Sequence, residues 1–308
     1  STTASVKGYY EANSYNNFSF TAHFMPGAAS NGAISYYEDK MDRAYMNSGN
    51  NPPVPESSWA AEGANREHCL LRRAVEWANV NAPLPDGMDV DKDNDGNVDN
   101  ACFIIAGAAT TWGSTLWPHA WSLYSTNAYV NTTKGQKKIG NYILLFGDWL
   151  DKNVICHELN HTLGDPDYYR YDDMYPNGSP VTGWDPMENN NNVYTLTFKK
   201  NKYQNIWLPN VPEITESGTY TLKSVLSPDS NCFKIASPYD SKSYFMLEYR
   251  QKKGLYEGNV PGNGLIVYRI DTRYSGTQNG PYKDELFILR PGGTMGSGGD
   301  ASKANFSA

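Results

Sequence analysis

The chain is poor in charge, in cysteine, in histidine and in long apolar runs, and each scarcity excludes something. No apolar stretch approaches the ~20 residues needed to cross a bilayer, so no transmembrane segment is expected. Lys and Arg number 26 against 33 Asp and Glu, for a net charge of −7. That balance argues against nucleic acid as a partner, because phosphate binding wants a basic face. The four cysteines (Cys69, Cys102, Cys156 and Cys232) are widely spaced and form no C-x-x-C pair. Neither a zinc knuckle nor a dense disulfide framework is indicated, and buried thiols are the expectation. No segment repeats at a fixed period. Residue 1 is followed by Thr-Thr-Ala-Ser, without the charged and apolar regions of a secretory signal, so the natural precursor is expected to be longer at this end.

What is present fits a soluble globular protein of 308 residues, 39% hydrophobic and with a mean hydropathy of −0.62. That length allows one large core or two domains. Tyr (23), Asn, Gly, Ser and Thr are plentiful beside only 19% charged residues, a balance common among secreted bacterial proteins.

Residues 17–25 alternate apolar and polar and predict a strand. Residues 66–80 place Cys69, Leu70, Ala74 and Trp77 at helical spacing and predict an amphipathic helix, with His68 on its edge. The segment Asn100–Gly107 is a continuous apolar run and predicts a buried central strand. His119 is open between a metal or substrate contact and a structural place among tryptophans. Lys138–Phe146 predicts a strand at the edge of its sheet, positioned to pair with an extended peptide. From about residue 212 five short apolar segments, 218–222, 232–236, 244–251, 264–271 and 285–290, are separated by Gly/Pro/Asn turns and predict a sandwich-like module.

Two stretches carry chemistry. In the first, Asp91, Asp93 and Asp95 alternate, Gly96 permits a sharp turn, Asn97 offers a carbonyl and Asp99 closes the set. This is the first half of an EF-hand loop, with Cys102 where the usual twelfth-position Glu would stand. A full EF-hand is therefore excluded, and a shorter, dockerin-like calcium loop is expected.

The second is Cys156-His157-Glu158-Leu-Asn160-His161-Thr-Leu-Gly164-Asp165-Pro-Asp167. On a helix His157 and His161 lie about 40° apart in azimuth and about 6 Å apart in rise. Two imidazoles so placed can bind one zinc ion, and Glu158 can reach a water on that ion without ligating it. Gly164 lets the helix stop in a φ > 0 conformation. Asp167, beyond that turn, is the expected third ligand, with Glu188 as the acidic alternative.

His157, Glu158, His161, Gly164 and Asp167 resemble the metzincin signature in a variant ending in Asp. Met187, in Trp184-Asp-Pro-Met187, is similar to the Met-turn that underlies the metal in that clan. The whole set resembles the immune-inhibitor-A-like secreted bacterial metalloproteases. Supporting segments are Ser5-Val-Lys-Gly-Tyr-Tyr, the Asp91–Asp99 loop, Trp117-Pro-His119, Tyr244–Gln251 and Gly264–Asp271. Asn160 and Asp165 depart from the family, which usually has Gly and an apolar residue there.

The resemblance implies an α+β fold, with a zincin-like catalytic domain over residues 1–211 and a β-rich module over 212–308. It implies a secreted or cell-surface zinc endopeptidase, acting as a monomer on protein or peptide substrates, with structural calcium. Zinc held by His157, His161 and Asp167 would lower the pKa of a bound water toward ~7, and Glu158 would act as general base. Tyr194 is open between an oxyanion donor and aromatic packing. The alternatives are a catalytically degenerate binding or scaffold protein, and a zinc hydrolase of a non-peptide bond.

Overall fold

A computed structural model describes residues 4–25, 31–46, 66–109, 116–170, 178–191, 193–204, 206–277 and 283–307. The Tyr/Asp-rich stretch 171–177 and most of the Gly/Pro/Asn-rich segment before residue 66 lie outside them. The described chain mixes α and β structure, with several sheets and few helices, and belongs to the α+β class. None of its helices is long and apolar enough to cross a membrane. It divides into two compact units, Thr21–Asp151 and the pair of segments Ser1–Phe20 and Lys152–Ala308. The zinc-motif helix and the C-terminal strands thus share a unit, and residues 211 and 212 both fall inside it.

The unit Thr21–Asp151 contains α1's successors in chain order, α2 (Arg43–Met46) and α3 (Arg66–Asn81), where α1 is Val6–Asn13 of the other unit. Its three-stranded sheet has the order β1 (Ala101–Ile105), β5 (Asn141–Phe146), β2 (His119–Ser122), and a hairpin joins β3 (Tyr129–Thr132) to β4 (Gly135–Lys138). The expected roles of two strands are exchanged. β5 pairs with β1 in parallel from Tyr142 to Phe146 and with β2 antiparallel from Asn141 to Leu144, so from Tyr142 to Leu144 it is flanked by a strand on both sides. It is central and buried from Tyr142 to Phe146, and does not present the free edge expected of a peptide-binding strand. Among the described residues β1 pairs only with β5 and half-buries alternate side chains, leaving Cys102 and Ile104 exposed. Helix α3 buries Cys69, Leu71, Val75 and Ala78 in the core of this unit. His68 is fully buried, within 2.6 Å of the Ser125 hydroxyl, and is no edge residue.

The segment 17–25, expected to be a strand, forms none. Phe18 and Phe20 pack instead edge-on or tilted against Tyr10 and Trp207. In the other unit, helices α4 (Lys152–Thr162) and α5 (Thr197–Lys202) accompany one antiparallel sheet, β6 (Cys232–Ala236), β7 (Ser243–Arg250), β8 (Gly264–Asp271), β9 (Leu286–Ile288), in that order. The segment 218–222 forms no strand, and no second sheet among the described residues makes a sandwich. The apolar face of the sheet, with Met246, Ile266, Tyr268 and Ile270, packs on Trp184, Met187, Leu196 and Phe198. Loop and helix residues around the Met187 turn thus cover the surface that a second sheet would otherwise bury. The four cysteines form no disulfide, and only Cys102 is exposed.

Candidate metal centre

Helix α4 positions the two histidines, and α1 fixes the helix. The Tyr10 hydroxyl donates to the Cys156 carbonyl at 2.9 Å and lies 3.0 Å from Asn160 Oδ1. Asn160 is therefore a buried polar contact between the two helices. The helix ends in a Schellman turn: Asp165 N–H donates to the Asn160 carbonyl (3.1 Å) and Gly164 N–H to that of His161 (2.9 Å). Gly164 supplies the φ of +95° that this turn requires.

The turn brings Asp167 back to the histidines. Asp167 Oδ1 lies 3.1 Å from His157 Nε2 and 3.2 Å from His161 Nε2. A tetrahedron of ligands at zinc's usual distances has edges of about 3.3 Å, so the donor set fits the ion. Both far ring nitrogens are tied to backbone carbonyls, His157 Nδ1 to Pro186 (2.9 Å) and His161 Nδ1 to Asp165 (2.7 Å). A carbonyl only accepts, so both Nδ1 atoms carry hydrogen, and each ring therefore has Nε2 as the nitrogen that can lose its proton and ligate. With both Nε2 atoms deprotonated, three acceptors converge, and a cation suits that point. Burial disfavours charge on His161, but the hydrogen bond to Asp167, its charge and that of Glu158 outweigh burial and raise its pKa. Glu158 itself is buried beside the cluster.

Glu188 faces elsewhere. Its carboxylate accepts from the amides of Val181 (2.8 Å) and Thr182 (2.5 Å), and burial pushes its pKa up to about 7. The acidic partner of the histidines is Asp167.

Met187 is fully buried in the core that covers the C-terminal sheet. Its turn is held by Asp185, which accepts from Met187 N–H (2.9 Å) and Leu196 N–H (2.9 Å). Lys199, wholly buried, bridges Asp185 Oδ1 (2.8 Å) to Asp165 Oδ2 (2.9 Å). Asp165 thus joins the post-helix turn to the Met187 turn. Sequence reading missed Lys199 and Asp185 as parts of this site, and missed Tyr169, whose ring stacks on His157 with centroids 6.3 Å apart. Nothing in the surrounding Thr-Leu-Thr-Phe-Lys-Lys-Asn-Lys marks Lys199 as a buried residue. Tyr194 is core: it stacks on Tyr256 at 6.4 Å and meets the edge of Tyr9.

In the other unit Asp91, Asp93 and Asp99 bring one oxygen each within 4.8 Å of one another. Asp91 is buried, and its Oδ1 has no hydrogen-bond partner, which suits a cation. Asp91 Oδ2 accepts from Lys137 Nζ at 2.6 Å and from Gly96 N–H at 3.2 Å. Burial and the charges of Asp93 and Asp91 raise the pKa of Asp99. Asp95 is turned away to Asn97, accepting from its N–H (2.7 Å) and its Nδ2 (2.9 Å). The third carboxylate is therefore Asp99. His119 is structural, with Nε2 3.0 Å from Glu67 and Nδ1 donating to the Trp117 carbonyl at 2.8 Å.

No protein-family model matches the chain. No match was found among curated proteins either.

Proposed function

We propose that the protein is a secreted zinc-dependent endopeptidase with a metzincin-type catalytic fold. The observation that carries this reading is the convergence of His157 Nε2, His161 Nε2 and Asp167 Oδ1 beside the buried Glu158. These three atoms would hold the zinc, and three protein ligands leave a position open, as catalytic rather than structural sites do. Zinc, when bound, acts as a Lewis acid on the scissile carbonyl and makes water acidic near neutral pH.

The chain's own residues supply the rest. Glu158 takes the proton of the attacking water and returns it to the leaving amine nitrogen. Pro186 and Asp165 carbonyls hold the two imidazoles in the ligating tautomer. Met187 provides a rigid apolar support for the loop that carries Pro186. Asp91, Asp93 and Asp99 would hold a structural calcium, whose charge offsets the repulsion among the carboxylates. Protein or peptide is the substrate class.

Hydrolysis of casein or gelatin, with and without a chelator, tests the reading. Chelator-sensitive cleavage restored by zinc supports it. Zinc binding without cleavage points to a degenerate binding protein, and cleavage confined to an ester or glycan amide points to a different hydrolase.

A further inference from the structure

The turn at Gly276 and Thr277, far along the chain from Asp167, reaches back to it. Gly276 has a φ of +65°. A Cβ at that position would lie 2.8 Å from Pro166 Cβ, closer than real Cβ atoms come, and 3.0 Å from the Asp167 carbonyl oxygen, tighter than most Cβ contacts. The next residue completes the contact, as Thr277 N–H donates to the same Asp167 carbonyl at 3.2 Å. The turn is held in its own right by Glu285, which is fully buried. Glu285 accepts from Gly276 N–H at 2.9 Å, and its own N–H donates to the Gly276 carbonyl at 3.0 Å. The same carboxylate accepts from the hydroxyls of Tyr168 and Tyr203, each at 2.8 Å, and pairs with Lys202. Tyr168 is the residue directly after Asp167.

We infer that Gly276 and Glu285 are positioning residues for the metal centre, clamping Pro166–Asp167 so that Asp167 Oδ1 is fixed against the two histidines. The inference rests on the zinc reading above. His157 and His161 are placed by a helix, whose hydrogen bonds fix their spacing. Asp167 lies beyond the helix in a segment without regular structure, so its backbone needs an external reference. Gly276 gives one by steric contact and Thr277 N–H by a hydrogen bond. Glu285 joins that turn to Tyr168 through one buried carboxylate, so the turn and the ligand segment move together. A metal site tolerates about 0.5 Å of misplacement in such a ligand. The C-terminal strands are on this view part of the metal centre's construction.

The test is zinc affinity, by competition with a chromogenic chelator, together with the visible spectrum of the cobalt-substituted protein. Wild type, Gly276→Ala, Glu285→Gln and Gly254→Ala are compared, each with a thermal melt. Gly254 has a φ of +82° and nothing within 4 Å of its Cβ position, so its alanine variant carries the same backbone strain without the push on Asp167. Gly276→Ala is expected to bind zinc about 10- to 100-fold more weakly and to show a changed cobalt spectrum. Glu285→Gln changes both in the same direction, and Gly254→Ala lowers the melting temperature with wild-type affinity. Wild-type affinity and spectrum in folded Gly276→Ala overturn the inference, as does equal weakening in Gly254→Ala. If Gly276→Ala does not fold, wild-type affinity in Glu285→Gln overturns it. A wild-type protein that takes up no zinc removes the zinc reading itself, whereas unchanged variants of a zinc-binding wild type remove only the clamp.

Discussion

His157 donates through Nδ1 to the Pro186 carbonyl at 2.9 Å, which joins the first histidine of the zinc motif to the residue preceding Met187. The bond spans 29 residues of chain and selects one tautomer. It gives the Met187 turn a chemical task, since shifting that turn would rotate or release the imidazole. His161 is held in the same way by Asp165, at 2.7 Å.

The metal-free centre has a definite pH response. Asp167 and Glu158 raise the pKa of His161 against the opposing effect of burial. A raised histidine contributes stability that is present below its unfolded pKa of about 6.5 and is lost as pH rises through the folded value. Chelator-treated protein should therefore lose stability across that window, and Asp167→Asn should flatten the loss. Urea denaturation at a series of pH values measures both. An unchanged slope in Asp167→Asn would count against the assigned electrostatics.

Lys199 is fully buried between Asp165 and Asp185. Lys199→Met leaves two buried carboxylates without their counter-ion and should cost about 3–5 kcal/mol of stability. Equilibrium denaturation reads this directly, and a loss below about 1 kcal/mol would show that the bridge contributes little.

Lys200, one residue on, behaves oppositely. Burial lowers its pKa from 10.5 to about 7, despite the charges of Glu248 and Glu257. Its Nζ donates to the Tyr15 hydroxyl at 3.0 Å and lies 4.3 Å from that ring's centre and 4.9 Å from that of Tyr194. Between about pH 7 and 10.5 the unfolded chain binds a proton that the folded chain does not, so stability rises with pH through this window. Lys200→Met should remove the rise and stabilise the protein near pH 7 by about 1–4 kcal/mol. Tyr15 keeps the Val225 carbonyl and Asn231 as partners in that variant. A pH series of thermal melts on both proteins decides the matter.

Calcium at about 100 times its dissociation constant should stabilise the folded protein by about 2.7 kcal/mol. Asp93→Ala should abolish that gain, while Asp95→Ala should leave most of it, because Asp95 turns to Asn97. Differential scanning calorimetry with and without calcium distinguishes the two variants. Equal loss in both would contradict the assignment of Asp99 as the third carboxylate.

The parts of this molecule that sequence reading reached are those fixed by local periodicity. Helix α3, helix α4 with its Gly164 stop, and strand β8 all follow from spacing and turn residues alone. The exchange of β1 and β5 was not legible, because Ala-Cys-Phe-Ile-Ile and Tyr-Ile-Leu-Leu-Phe are comparably apolar and centrality depends on which neighbours pair. Alternation at Phe18 and Phe20 reflects two rings packed on Tyr10, a contact made by an irregular segment. Spacing already favoured Asp167, but setting Glu188 aside needed the positions of the Val181 and Thr182 amides that face it. Gly276 and Glu285 lie too far along the chain for spacing to link them to Asp167.

Glu158 is proposed to perform the chemistry at a zinc site built by His157, His161 and Asp167. The most direct test is the Glu158→Ala variant, assayed for zinc content and for casein hydrolysis on the same preparation. One zinc per chain, as in the wild type, and no hydrolysis are expected. Hydrolysis retained at the wild-type rate, or a zinc content that falls with the activity, would contradict that role.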